Sequence, residues 1–527
     1  MAKRRDELAA YTFARKRTVA AFLAPEPGGS EEGAPRPIRT VMPSLAVGVI
    51  LVVGFIAWGV IKPAAPKGWD TPGEYVIVDS DSTTRYVVLP DGKDGKDKVL
   101  HPVLNYASAK LLLEKGKGTV MEVPAKEIDK SGIRHGPTIG IPYAPDRLPV
   151  AGEAEKPKTW AVCERPAKSG TTLDRAVFVL NAEDAKSVKD KGEVGAKEAL
   201  YVQDPKGQVR FLVDGKGTVF RLGSNAVNAD RTLTQNLRTA VIGSTNEPRT
   251  VSEEWLKSLN DGGQITFPVI PGAGEQTGVQ GLQGDAARVG TLLQADEANS
   301  KQDYVVLKNR VASITPFMAA VLKASPSAEL AYPGGDPEVI DVNPNDVNAA
   351  NDGQAEPLGI GENWPHDVPK QANAADATTG VDNDTSCSVY DGTINKAASK
   401  PNLSAWAGNK YPKTVIADSA NAFVSSGSGL LFKQVAAGTG GGGGMYLITD
   451  TGLRYSLPVG NDSASGQADD KGSGAKEGEQ PSETDKARTR LGYEKVKDSA
   501  YVPQNWANFI PKGPMLDTRS AEQAQSQ

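Results

Sequence analysis

The apolar positions of this chain fall into one long unbroken run and many short alternating ones. The long run is 41–61, VMPSLAVGVILVVGFIAWGVI, with no charged residue. As a helix it would measure roughly 30 Å, the thickness of a bilayer's hydrocarbon core. It is apolar all the way round rather than along one stripe. Arg36 and Arg39 bound it on one side, and Lys62, Pro63 and Lys67 on the other. The pattern predicts a single transmembrane helix. A cleaved signal peptide would need a shorter core and a small-residue cleavage site, where this chain has Pro63 and Pro66.

The residues before the run carry eight Lys and Arg: Lys3, Arg4, Arg5, Arg15, Lys16, Arg17, Arg36 and Arg39. Short basic flanks stay in the cytoplasm, so the N-terminal tail is predicted inside and the long remainder outside. Within the tail, 6–23 predicts a helix, with Asp6 and Glu7 in its first turn and Pro25 beyond its end. Leu8, Tyr11, Thr18 and Phe22 make an imperfect apolar stripe, and Arg15, Lys16 and Arg17 supply a basic cluster. A basic segment beside a membrane can lie on anionic lipid, dock a cytoplasmic partner, or serve only as a tether. Residues 25–37 have a linker's composition. Inside the apolar run, Ser44 and Gly48, with Gly54 and Ala57, present small surfaces of the kind that allow close helix packing in lipid.

The short runs recur four times as an apolar strand, a turn and a second strand, at 83–102, 207–223, 302–316 and 444–458. Tyr86, Phe211, Tyr304 and Tyr446 occupy equivalent places, and Asp-Gly, Lys-Asn or Thr-Gly supplies the hairpin turn. A further strand precedes each unit, at 75–79, 200–204, 291–295 and 430–435. After at least two units a proline and a short apolar helix follow, at 102–113 and 316–324. The uneven intervals between units exclude a solenoid of fixed period. They suggest repeats at 62–150, 197–275, 276–330 and 426–527, set around a central domain split into 151–196 and 331–425. The expected fold class is therefore α+β and β-rich.

Composition refines this picture. A net charge of −5 and a pI near 5.6 give no reason to expect nucleic acid. Only Cys163 and Cys387 occur, both in the predicted outer part and both in the split central domain. In an oxidising space two cysteines most simply form one disulfide, the alternative being two separate buried thiols. Residues 341–354, the glycine run 438–444 and the insertion 461–486 are too polar or too simple to order themselves.

Candidate chemistry is sparse. Gly-Lys occurs four times, followed by Asp, Asp, Gly and Gly, never by the Ser or Thr of a phosphate loop. The three histidines, His101, His135 and His366, form no metal-binding spacing, and His101 before Pro102 reads as a packing or capping residue at a helix start. Asp341, Asn343, Asn345 and Asp352 fit part of a calcium-loop pattern, but Asp346 stands where the turn needs Gly. No cofactor or metal is expected.

Four passages resemble the EccB family of the actinobacterial type VII (ESX) secretion system. They are HPVLNYASAKLLL (101–113) with GIPYAPDRLP (140–149), EEWLKSLNDGGQITFPVIPGAG (253–274), YLITDTGLRYSLP (446–458), and LGYEKV with VPQNWANFIPKGPMLD (491–517). The resemblance implies an extracytoplasmic part of degenerate repeats around a central β domain tied by one disulfide. It also implies self-association in a larger oligomer, and assembly with EccC, EccD and EccE components and a mycosin protease. EccC carries that family's recognised motor domains. Some EccB members are described as ATPases, an activity for which this sequence lacks the phosphate loop. The insertion 461–486 departs from the family's more compact fourth repeat. The expected function is that of a membrane-anchored scaffold, whose interfaces are 6–23 and 41–61. The alternative is a peptidoglycan-binding module or an atypical ATPase. A wall binder would need exposed aromatic platforms, for which Trp69, Trp160, Trp364, Trp406 and Trp506 are the candidates.

Overall fold

The computed structural model describes residues 4–23, 37–61, 65–91, 97–167, 172–223, 230–244, 246–297, 300–351, 353–375, 380–395, 400–415, 422–436, 442–458, 482–496 and 499–525. The linker 25–36 and, within their segments, 438–441 and 461–481 lie outside the described residues. The chain divides into a small unit (1–70, 78–83 and 121–132) and a large one (71–77, 84–120 and 133–527).

The small unit holds two long helices, Arg4–Leu23 and Pro37–Ile61. In the first, Leu8, Tyr11 and Phe22 are exposed. The side chains of the second are described over 41–56, and each is exposed, from Val41 through Ile56. Among the described residues no helix is long and apolar enough to cross a membrane. The small unit also contains an Asp79 turn, whose carboxylate accepts from the Asp81 amide and the Ser82 hydroxyl. The helix Ala125–Lys130 starts beside it, with the Ala125 amide donating to Asp81.

The strands run in chain order through five sheets. The first comprises β1 (Tyr75–Asp79), β2 (Arg85–Asp91), β3 (Asp97–Pro102), β4 (Thr119–Val123) and β5 (Arg134–His135), in the order β4-β1-β2-β3-β5. Then β6 (Thr159–Pro166) and β7 (Leu173–Leu180) begin a central sheet. The second outer sheet has β8 (Glu198–Gln203), β9 (Arg210–Asp214), β10 (Thr218–Leu222), β11 (Arg249–Thr250) and β12 (Asn260–Ile265), ordered β11-β8-β9-β10-β12. The third has β13 (Leu292–Glu297), β14 (Ser300–Val306), β15 (Val311–Ile314) and β16 (Ile340–Asp341), ordered β15-β14-β13-β16. After β17 (Lys370–Gln371), which joins β8, come β18 (Thr385–Asn395), β19 (Lys400–Gly408) and β20 (Phe423–Val424). They complete the central sheet as β19-β18-β6-β7-β20. The fourth outer sheet is β21 (Leu430–Val435), β22 (Gly442–Ile448), β23 (Arg454–Ser456) and β24 (Ala500–Pro503), ordered β23-β22-β21-β24.

One plan runs through the outer sheets. A three-strand meander is followed by a helix, and a short strand then joins the meander's first strand. That strand is parallel in β11 on β8, β16 on β13 and β24 on β21. Another segment lies parallel to the third strand: β5 on β3 and β12 on β10. In the last two sheets it shrinks to single bridges, Ser313 with Pro357 and Arg454 with Lys512. Each helix after a meander starts on a polar side chain that accepts a backbone N–H of the first turn. The caps are Asn105, Asp230, Thr315 and Ser482, before helices Tyr106–Leu112, Arg231–Ile242, Pro316–Lys323 and Glu483–Arg490. Such a cap satisfies a donor the helix cannot, worth about 1 kcal/mol. The β9–β10 turn needs Gly217, with φ +67°, because a Cβ there would come within 2.6 Å of the Leu403 Cβ.

Burial explains how the sheets pair. The first and fourth share one core, with Val76, Val87 and Leu111 against Leu431, Leu447, Ala487 and Leu516. The second and third share another, in which Leu237 and Val241 meet Phe317 and Val321. The central sheet is covered on both faces. One face puts Trp160, Val162, Val179 and Tyr390 against Val202, Val213, Phe432 and Trp506. The other gathers Ala161, Cys163, Phe178, Cys387, Val389 and Trp406.

Four expectations need correction. Of the glycine run 438–444, residues 442–444 open β22, with Gly442 opposite Val435 of β21. Within 341–354, Pro344–Asn351 is a helix, with Val347 and Ala350 buried and Asn351 accepting from the Val311 amide. Average composition hid two apolar residues three apart, which lie on one helical face. Pro102 does not start a helix: it ends β3 opposite Tyr86, and the helix begins at Tyr106 on its Asn105 cap. In 461–486 the last residues are ordered, since Ser482 caps the helix Glu483–Arg490.

Candidate functional site

The sequence-predicted residues fall into separate places. Cys163 and Cys387 are directly opposite each other on antiparallel β6 and β18, bonded to one another and wholly buried. Their separation of 224 residues makes the bond a closure between the two halves of the central sheet. In the apolar helix, Val41, Ser44, Leu45, Gly48, Val49, Val52 and Val53 lie along one face, because steps of three and four return to the same side. Ser44 and Gly48 are therefore brought together, Gly54 is not among the residues of that face, and the Ala57 side chain lies outside the described ones. The Ser44 hydroxyl donates to the Val41 carbonyl, which satisfies it within the helix. Arg15, Lys16 and Arg17 lie on exposed turns of the first helix.

The histidines do not converge. His101 Nδ1 is 3.0 Å from the Pro137 carbonyl, His135 packs edge-on against Tyr86, and His366 is beside Asp367. Among the described residues no group of three or more His, Cys, Asp or Glu could hold a metal ion. Asp341 is in β16, and the Asn343 side chain accepts from the Asn345 amide, closing a local turn. The tryptophan candidates are mostly interior. Trp160 and Trp506 are fully buried, Trp406 nearly so, and Trp69 and Trp364 half-buried.

Sequence reasoning missed the polar clasps around the central sheet. Glu164 on β6 is 1% exposed and fully engaged. Arg175 Nε donates to it at 2.7 Å, the Ser252 amide at 2.7 Å and the Ser252 hydroxyl at 2.8 Å. Arg175 also reaches Ser252 and Glu254, so β6, β7 and the turn before Trp255 are bound as one network. The Trp255 indole N–H then donates to the Val162 carbonyl of β6 at 2.9 Å. A second clasp buries Lys158, which donates to the Glu153 carboxylate at 2.7 Å while the Ser428 hydroxyl donates to the same oxygen. Partners lying about 90 and 275 residues apart leave no local pattern, which is why no sequence signal announced them.

A third clasp is sensitive to pH. Asp184, just past β7, accepts from Lys413 at 2.6 Å and from the Ser425 hydroxyl at 2.6 Å. The Lys413 and Ser425 hydrogen bonds hold its carboxyl below the usual carboxylate range, against the opposing effect of burial. Because the folded pKa is depressed, this stability is present above the unfolded value of about 4 and is lost as pH falls through the folded one. We expect Asp184→Asn to lower the melting temperature at neutral pH. The gap from the parent should close as the pH is lowered toward 3, and a gap constant with pH would refute the pairing.

Comparison with known proteins gives one consistent result. The family described as "Type VII secretion system ESX-1, transport TM domain B" matches residues 2–527. The chain is 27% identical over 296 residues to "ESX-1 secretion system ATPase EccB1" of Mycolicibacterium smegmatis (strain MKD8), covering 56% of each chain. It thus spans about half the length of that relative. It is 24% identical over 449 residues to "ESX-3 secretion system ATPase EccB3" of Mycobacterium tuberculosis (strain CDC 1551 / Oshkosh), covering 80% of this chain and 75% of the relative. Among solved structures, a chain of an intact ESX-5 inner membrane complex superposes with a TM-score of 0.57 at 18% identity, over 100% of this chain and 96% of that one. The EccB3 dimer from the ESX-3 core complex gives 0.56 at 21% identity, over 85% of this chain and all of the other.

Proposed function

This chain belongs to the EccB family of type VII secretion, and from that premise we propose that it is a membrane-anchored structural subunit of such a secretion complex. The observation that carries the reading is the helix Pro37–Ile61. Its apolar side chains over 41–56 are exposed on every side. An apolar surface that continuous is untenable in water and is accounted for by lipid or by a partner helix. The basic tail places the N-terminus in the cytoplasm. The four outer sheets, closed around a disulfide-bonded centre, then form the extracytoplasmic part. A buried disulfide accords with an oxidising side. The partners that fit are an EccC-type ATPase, an EccD-type multi-span component, an EccE-type subunit and a mycosin protease, with self-association in a larger oligomer.

The relatives are named ATPases. We favour a scaffold for this chain because its Gly-Lys pairs are each followed by Asp or Gly, which gives no phosphate loop with a magnesium-binding hydroxyl. The wall-binding alternative loses its main support, since three of the five candidate tryptophans are interior.

The test is purification of tagged full-length protein in mild detergent, followed by native mass determination. The expected result is a large complex holding a motor ATPase and a multi-span subunit. Recovery of the protein alone, with wall binding or ATP hydrolysis by its outer part, would overturn the proposal. Deleting residues 1–24 is expected to reduce recovery of partners about tenfold, a loss of about 1.4 kcal/mol of binding. Undiminished recovery would mean that the tail is only a tether.

A further inference from the structure

The second outer sheet carries a cationic cluster that none of the clasps uses. Arg210 opens β9, opposite Leu222 of β10, on the face covered by the helix Arg231–Ile242. Arg238 comes from that helix, one residue after Leu237 and three before Val241, both of which are buried in the same core. Tyr201 of β8, itself 1% exposed, accepts from Arg210 Nη1 at 3.0 Å through its hydroxyl and is near enough to Arg238 to act on its charge. Both arginines have a buried Nε–H with no partner in the chain. Neither forms a salt bridge with a described residue. Burial and, next, the neighbouring charge of Arg210 lower the Arg238 pKa. The residues leading into the helix, 224–229, read SNAVNA and contain no acid.

Two like charges held together in a half-buried setting repel each other and have lost part of their hydration. Elsewhere in this molecule buried charges are closed by carboxylates, as Glu164 with Arg175 and Lys158 with Glu153. Here none of the described residues supplies one, which leaves the pair open to a charge from outside the chain. The donor chemistry says what that charge is. Guanidinium groups present forked N–H donors that match the oxygens of a carboxylate or phosphate. The Tyr201 hydroxyl, having accepted from Arg210, keeps its own proton to donate. We infer that Arg210, Arg238 and Tyr201 form a binding site for a single oxyanion, a phosphate or carboxylate group, on the second outer sheet.

The experiment uses the full-length protein in detergent and follows thermal unfolding by tryptophan fluorescence. Inorganic phosphate and acetate are compared with chloride at equal ionic strength. Phosphate, acetate or both should raise the midpoint by ~2 °C over chloride, the size expected for about tenfold saturation in a body this large. A response to phosphate alone assigns a phosphate group, and a response to acetate alone a carboxylate. Arg238→Gln should abolish the response and, in chloride, melt no lower than the parent, because it removes a repelling charge. Arg221→Gln is the control. Its parent side chain also has an unpaired buried Nε–H, but it is opposite Phe211 and so on the other face of the sheet. It should leave the anion response intact. The inference fails if neither anion acts on the parent, if Arg238→Gln still responds, or if Arg221→Gln abolishes the effect equally. It also fails if Arg238→Gln melts well below the parent in chloride, which would make Arg238 a support of the fold.

Discussion

Replacing Cys163 with Ser is expected to cost the large unit about 2–5 kcal/mol and to lower its melting point by roughly 2–5 °C. The physical reason is the position of the bond, which joins strands whose sequence separation is 224 residues. Without it, two halves of one sheet must find each other across a long loop of unfolded chain. The substitution also leaves a hydroxyl at a point that is 0% exposed, among Ala161, Phe178 and Trp406, at a further cost of about 1–3 kcal/mol. A Cys163→Ala/Cys387→Ala pair separates the two effects, since it removes the bond without burying a polar group. Melting and protease resistance unchanged in both variants would show that packing alone closes the sheet. Recovery of Cys163→Ser in the membrane fraction should be normal, because the apolar helix precedes all of these contacts in the chain.

Truncating Trp506 to Ala is expected to destabilise the same unit by about 3–5 kcal/mol. This residue is fully buried on the short helix Gln504–Ala507 that follows β24. Its ring lies 5.6 Å from that of Tyr390 on the central sheet, and its indole N–H donates to the Ser258 carbonyl at 3.1 Å. One side chain thus holds together the fourth sheet, the centre and the loop leading into β12. Trp506→Phe should cost much less, keeping most of the buried surface and losing the hydrogen bond. Hydrogen exchange should show faster opening around both Ser258 and β18 in the Ala variant. Equal losses for Phe and Ala would mean that the hydrogen bond, and not the ring's bulk, is what matters there.

Much of the local structure could be read from the sequence, because strands and hairpins advertise themselves over five to ten residues. The runs at 75–79 and 430–435 coincide with β1 and β21, and those at 200–204 and 291–295 overlap β8 and β13. Thr451-Gly452 makes its turn with φ +76° at Gly452. The helix of the tail was legible to within two residues at one end. What could not be read is whatever depends on distant partners. Nothing near Glu164 in the sequence says that Ser252 will meet it, and a Trp reads the same whether it will be core or platform. The helix Pro344–Asn351 was missed for a related reason: it is stabilised by the surface Val347 and Ala350 cover, not by its own composition. The cluster of Arg210 and Arg238 was equally invisible, since a strand and a helix 28 positions apart meet only once folded.

The shared core of the first and fourth sheets has a consequence in time. Residues near the end of the chain complete a structure begun near its start. Ala524 bridges to Ile139, Gln525 hydrogen-bonds Thr138 and Gly140, and Leu516 and Ala521 fill the core beside Leu111. During synthesis the first meander therefore emerges early and waits, with one side of its hydrophobic surface open, until residues 516–525 have been made. A chain cut before residue 516 would present that open side to proteases. Whether residues 516–525 have been made is thereby checked by the fold itself.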